Sequence, residues 1–126
     1  MIALDSDVLI EILDRKSEKG AQALKHVLAS NEDVCMTVIS IHEVLFGLQK
    51  YNKSVDELLR LPVLNYGKSD ALLSSSLELE AEQTGKPIMR TDAMVAAIAI
   101  NHNATLYTFN LKHFEPLTIH GLKLYK

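Results

Sequence analysis

Asp5, Glu43 and Asp92 are carboxylates set among apolar residues where helices begin, and together they have the chemistry to hold a hard cation. Asp5 ends the apolar run Met1-Ile2-Ala3-Leu4, and Val8, Leu9, Ile12 and Leu13 follow it at helical spacing. A strand feeding a helix puts Asp5 at the strand's carboxyl end, where ligands sit in open parallel α/β sheets. Ser6 and Asp7 stand beside it as a hydroxyl and a reserve carboxylate. Glu43 lies in a helical run carrying Ile41, Val44, Leu45 and Leu48. Asp92 opens the apolar stretch Ala93-Met94-Val95-Ala96-Ala97. A fourth junction follows Tyr107-Thr108-Phe109 and presents Asn110, whose carbonyl oxygen could meet a metal or a water.

Each of these residues also has an ordinary structural role open to it. Asp5 is a good N-cap, a role that stabilises by about 1 kcal/mol. Ser40 and Glu43 have the spacing of a capping box. Asp92 follows Thr91, a capping type, and a first-turn carboxylate gains roughly 0.3–1 kcal/mol from the helix dipole. Asn110 suits a turn, while Lys112 and His113 read as surface residues. The three acids taken together ask for more. Converging carboxylates repel one another unless a divalent cation lies between them. An all-oxygen set describes Mg2+ or Mn2+ rather than a zinc site of Cys and His. His42-Glu43 is only a fragment of H-E-x-x-H, and the chain has no Walker A loop, dinucleotide glycine pattern or G-x-S-x-G elbow.

The elements that must position these groups alternate. Strands are expected at residues 1–5, Val34–Val38, Val63–Tyr66, Ala104–Thr108 and Lys123–Tyr125. Helices are expected over Ser17–Leu28 with Asn31 as a stop, from Ser40, over Val55–Leu61 before Pro62, over Asp70–Gln83 before Gly85, and from a Thr91 cap to Asn101. The pattern predicts an α/β fold: a mainly parallel sheet of four to five strands between helices, in three layers. Its 126 residues, 48% of them hydrophobic, suffice for one core, so residues 1–126 are expected to form a single domain. A net charge of −3 does not mark a nucleic-acid binder, although a local basic face remains compatible with it. Cys35 has no partner in the chain, which fits a reducing cytoplasm. No secretory leader or membrane span is expected, because acids interrupt the first apolar run and Ala93–Ile100 is too short.

Four segments, in order, resemble the PIN-domain family, and within it the VapC-type toxins. They are Leu4-Asp5-Ser6-Asp7-Val8-Leu9-Ile10; Ser40-x-x-Glu43-Val44-Leu45-Phe46-Gly47; Gly85-Lys86-Pro87-Ile88 with Asp92-Ala93-Met94-Val95-Ala96-Ala97; and Leu106-Tyr107-Thr108-Phe109-Asn110-Leu111-Lys112-His113-Phe114. The resemblance covers essentially the whole chain and implies a PIN-like fold with a Mg2+- or Mn2+-dependent endoribonuclease activity. It puts Asp5, Glu43 and Asp92 on the metal-holding positions and Ser6 near the metal's water. Asn110 falls near a fourth position that is Asp in many members; a neutral side chain lowers the site's charge and favours one cation. The same resemblance implies an RNA substrate, a small antitoxin partner and a homodimer. RNA would be gripped by Lys50, Lys53, Arg90 and Lys112, and the apolar faces of Ile41–Leu48 and Ala71–Leu79 would serve core, dimer or antitoxin.

Three other readings compete. Asp5-Ser6-Asp7-Val8 looks like the D-x-D start of haloacid-dehalogenase-type phosphatases, with Asp5 as covalent nucleophile, but no later acidic pair completes it. A receiver-type phospho-switch suits the length, yet Asp56 lies in a helical pattern. A catalytically inactive PIN-like scaffold that binds RNA or protein is the non-enzyme alternative, and the neutral Asn110 favours it.

Overall fold

A computed structural model describes all residues, Met1–Lys126. The elements run β1 (Ile2–Leu4), α1 (Ser6–Leu9) continuing as a π turn over Ile10–Asp14, α2 (Glu18–Ala29), β2 (Val34–Thr37), α3 (Val38–Lys50) and α4 (Asp56–Leu59). Then come β3 (Val63–Leu64), α5 (Lys68–Gln83), α6 (Arg90–Asn101), β4 (Thr105–Tyr107), α7 (Leu111–Phe114), a 3-10 turn (Glu115–His120) and β5 (Lys123–Leu124). The five strands form one sheet in the order β3-β2-β1-β4-β5, and every pairing is parallel. Chain order reverses at β1, so the sheet's switch point falls at the end of the strand that leads into Asp5.

Strand alternation divides the core between two faces. Ile2, Leu4, Met36 and Tyr107 pack with Val8, Val27, Val44 and Leu58 on one side. Ala3, Cys35 and Leu106 pack with Leu77, Ala96, Phe114 and Leu117 on the other. The result is the expected three-layer arrangement. In α6 the buried side chains include Ala93, Ala96, Ala97 and Ala99, all fully buried, and such short side chains let the helix lie close to the sheet. The Cys35 thiol is buried and donates to the Ile2 carbonyl at 3.5 Å. No helix is long and apolar enough to cross a membrane.

Helix starts differ from the sequence expectation in three places, one of them α5, which was expected from Asp70 and begins at Lys68. The capping box of Ser40 and Glu43 does not form. Thr37 is the N-cap instead; its hydroxyl accepts from the Ser40 backbone N–H at 3.1 Å, and Ser40 is fully buried in the first turn of α3. Likewise Thr91 caps nothing: α6 begins at Arg90 after an extended Met89. Strands are also shorter than expected, because Val38 and Thr108 already belong to the turns into helices. Asn31 does end α2's run, adopting a left-handed backbone with φ of 57°.

One glycine is fixed by close approach. A Cβ on Gly20 would lie 2.2 Å from the Glu11 carbonyl oxygen of the π turn, a clash with backbone that no rotamer relieves. Gly47 in α3 has nothing within 4 Å of the same position. Gly20→Ala is therefore expected to destabilise by about 1–3 kcal/mol. Gly47→Ala should instead stabilise by roughly 0.5–1 kcal/mol. Urea midpoints of the two variants check this pair, and equal midpoints would contradict the packing of α2 on the π turn.

Candidate active site

Asp5 leaves the tip of the central strand with its backbone N–H donated to the Tyr107 carbonyl at 2.9 Å, which locks it to β4. Its side chain has both oxygens engaged. Oδ1 accepts from the Ser6 N–H at 2.9 Å, the N-cap role, and Oδ2 accepts from the Thr108 hydroxyl at 2.9 Å. Capping and site-building are thus served by one carboxylate. Asp7, one residue further, accepts from the backbone N–H groups of Val8 at 2.8 Å and Phe109 at 3.0 Å. Thr108 also lies 3.4 Å from Asp7 Oδ2, so its hydroxyl sits between the two acids. The Asn110 backbone N–H in turn donates to the Thr108 oxygen at 3.1 Å, which orients the hydroxyl proton towards the carboxylates.

Glu43, on the second turn of α3, and Asp92, in the first turn of α6, face the same charge. Asp5 is only 7% exposed, and burial first, then the neighbouring Asp7 and Asp92 charges, push its pKa up to about 7. Thr108 and the Ser6 amide act in the opposite direction. Asp7 is raised mainly by burial, against its hydrogen bonds and the Lys19 charge. Partial burial raises Asp92, with Asp7 adding to it and His113, 3.9 Å away, opposing it. Glu43 is the most solvent-open of the four; it too is raised by desolvation and by Asp92 and Asp7, while the Ser6 hydroxyl opposes the shift. Four acids from three separate segments therefore share one field.

No three acidic or histidine side chains are grouped tightly enough to form a ready all-protein coordination shell. The donor set nonetheless fits a hydrated hard cation. Carboxylate oxygens are the only ligand atoms the cluster offers, and Mg2+ keeps several waters while using one or two carboxylates. A positive ion would also offset the burial that raises all four pKa values and the carboxylate repulsion that adds to it at Asp5, Glu43 and Asp92.

Of the residues expected at the site, Asp5, Glu43, Asp92, Ser6 and Asp7 are brought together. The Asn110 side chain is exposed and makes no hydrogen bond within the chain, while its backbone N–H reaches the cluster through Thr108. Thr108 occupies the inner position in its place. Sequence reasoning passed over Thr108 because a hydroxyl after a strand carries no mark of its distant partners. Among the proposed RNA-gripping cations, Lys53 is paired with Asp14 and Arg90 with Glu78, while Lys50 lies over the Phe46 and Tyr51 rings. Lys112 does line a groove with Asp92, Lys86 and His113.

The buried charge has a measurable consequence without any metal. An unfolded Asp ionises near 3.8 and folded Asp5 near 7, so the native state alone holds a proton in between. Stability of the metal-free protein should fall as pH rises from about 4 through about 7, by up to about 4 kcal/mol, and level off above. Asp5→Asn keeps a capping oxygen and should flatten that profile, as followed by denaturant unfolding in EDTA. Thr108→Val should push Asp5 still higher, visible as a later carboxyl titration by NMR; an unchanged titration would remove Thr108 from the site.

Comparison with known proteins agrees with the architecture. The PIN domain family model matches residues 2–115. Ribonuclease VapC2 of Rickettsia felis is 27% identical over 119 residues, covering 89% of this chain and 88% of that protein. Ribonuclease VapC1 of Haemophilus influenzae strain R2866 is 29% identical over 122 residues, covering 91% and 90%. Among solved structures, VapBC2 from Rickettsia felis bound to a promoter DNA fragment superposes with a TM-score of 0.81 at 26% identity, over 99% of this chain and 98% of that one. VapBC-1 from nontypeable Haemophilus influenzae gives 0.79 at 25% identity, over 100% and 98%. The matched span runs from β1 into the 3-10 turn and encloses every acid of the cluster, and on that footing the chain belongs to the PIN-domain family.

Proposed function

We propose that the protein is an endoribonuclease, the toxin of a VapBC-like type II toxin–antitoxin pair, and that it hydrolyses RNA phosphodiester bonds with Mg2+ or Mn2+. The observation that carries this reading is the gathering of Asp5, Asp7, Glu43 and Asp92 into one field at the carboxyl end of a parallel sheet. Relatives of like length are named VapC ribonucleases, and a structural relative is a VapBC2 assembly, which supports both halves of the proposal.

Asp5, Glu43 and Asp92 would hold the ion, with Asp7 as a further carboxylate. Bound there, a divalent cation supplies a water of lowered pKa and positive charge opposite the phosphate oxygens. The chain's own contribution is preorganisation. Thr108, Ser6 N–H, Val8 N–H and Phe109 N–H fix Asp5 and Asp7 before anything binds, so little is left to order on binding. Lys112 and Lys86 bring positive charge to the groove beside Asp92, where phosphates of the substrate would lie. No side-chain nucleophile is needed. A covalent role for Asp5 finds no support in its setting, since both its oxygens are hydrogen-bonded and it is nearly buried.

Exposed apolar side chains give partners a place. Phe46 on α3 and Leu72 and Leu79 on α5 are all more than half exposed, and an antitoxin or a second copy would cover them. We place it in the cytoplasm, a location that suits a free thiol and an RNA substrate.

Asp5→Asn and Asp92→Asn are each expected to lower Mn2+-dependent RNA cleavage by at least about 100-fold. Circular dichroism should stay unchanged. Calorimetric Mn2+ titration supplies a second readout: wild type should bind, and Asp5→Asn should not. Binding absent from the wild type would move the reading to an inactive scaffold; full cleavage by either variant would sink the site assignment.

A further inference from the structure

Beside the carboxylates lies an open groove of about 420 Å³ that the proposed chemistry does not use. It is lined by Tyr107, Phe109 and Tyr125, three of the chain's seven aromatic side chains, together with His26 and Lys126. Thr108, whose hydroxyl binds Asp5 and Asp7, is part of the same wall, so the groove and the acid cluster are contiguous. No acidic side chain lines it. The aromatics form a ladder: Tyr107 stacks on Tyr125 with centroids 4.6 Å apart and planes 18° from parallel, and meets Phe109 edge-on at 6.0 Å. Lys19 places its ammonium 4.1 Å from the Phe109 ring centroid, and its charge is felt by Asp7, which puts a cation between groove and acids.

Packing accounts for only part of this. Tyr107 is almost wholly buried and backs the ladder, while Phe109 and Tyr125 pack against the core on one side and remain partly exposed on the other. Aromatic faces beside a basic rim are what an unpaired nucleobase on a polyanionic backbone requires. The volume falls within the range of small-ligand clefts. Building on the ribonuclease reading, we infer that the Tyr107–Phe109–Tyr125 groove receives an unstacked base of the RNA next to the phosphate being cut. Lys19 and Lys126 then meet the flanking phosphates. A base can reach the ladder only when it is free of a double helix, so a duplex of the same sequence serves as the control in which the groove stays empty.

The test is binding of a fluorescein-labelled eight-nucleotide single-stranded RNA to the full chain in EDTA, where no cleavage occurs, against the same strand annealed to its complement. The single strand should bind about 10- to 100-fold more tightly than the duplex. Tyr125→Ala and Phe109→Leu should each weaken single-strand binding by about 10-fold and leave duplex binding unaltered. Tyr125→Phe should bind as the wild type, which separates loss of the stacking face from loss of the hydroxyl. Mn2+ titration of Tyr125→Ala should match the wild type, showing that the acid cluster is intact. Wild-type affinity in both Tyr125→Ala and Phe109→Leu, or equal affinity for strand and duplex, overturns the groove while leaving cleavage untouched. Loss of cleavage in the wild type with the binding differences preserved would instead sink the nuclease reading and leave the groove standing.

Discussion

Burying negative charge at the tips of parallel strands is the constraint on which the rest of this molecule depends. Asp5 is surrounded by apolar neighbours and lies near Asp7 and Asp92, an arrangement that disfavours its own ionisation. It is tolerated because every oxygen of the innermost acids has a donor: the amides of Ser6, Val8 and Phe109 and the hydroxyl of Thr108. Two of those donors belong to the strand-to-helix junction of β4, about a hundred residues away in the chain. The site and the central β1–β4 pairing therefore stand or fall together.

The same economy of polar partners recurs away from the site. Asp70, buried at the start of α5, accepts from the Gly67 N–H at 2.8 Å and from the Asn101 amide at 2.8 Å. That one side chain closes the beginning of α5 and ties it to the end of α6, the helix that carries Asp92. Behind it, the alanine-rich face of α6 brings the helix near the sheet, so Asp92 reaches the cluster from a rigid support. Glu43 arrives differently, on the solvent side of α3, and leaves the cluster open in that direction.

Much of the architecture was legible in the residues. Short apolar runs marked most of the strands, helical spacing marked the long helices, and their alternation implied a parallel sheet. What failed was local and had a physical cause. Thr37-x-x-Ser40 and Ser40-x-x-Glu43 offer overlapping capping patterns, and only burial of Ser40 decides between them. The three principal acids could be singled out because charge is conspicuous in apolar surroundings. Thr108 and the true standing of Asp7 could not, since their importance lies in a contact spanning 101 residues that no spacing rule encodes. Asn110 was expected near a fourth position of the motif; its side chain is exposed and its backbone N–H is what ties it to the cluster, through Thr108.

The outermost strands, Val63–Leu64 and Lys123–Leu124, are two residues each. So little unpaired backbone gives no template on which a foreign strand could extend the sheet, a protection against edge-to-edge aggregation. Whatever this protein associates with must instead recognise it through side chains, on helix faces or in grooves. Substitutions on its surface can then redirect partnership without disturbing the sheet beneath.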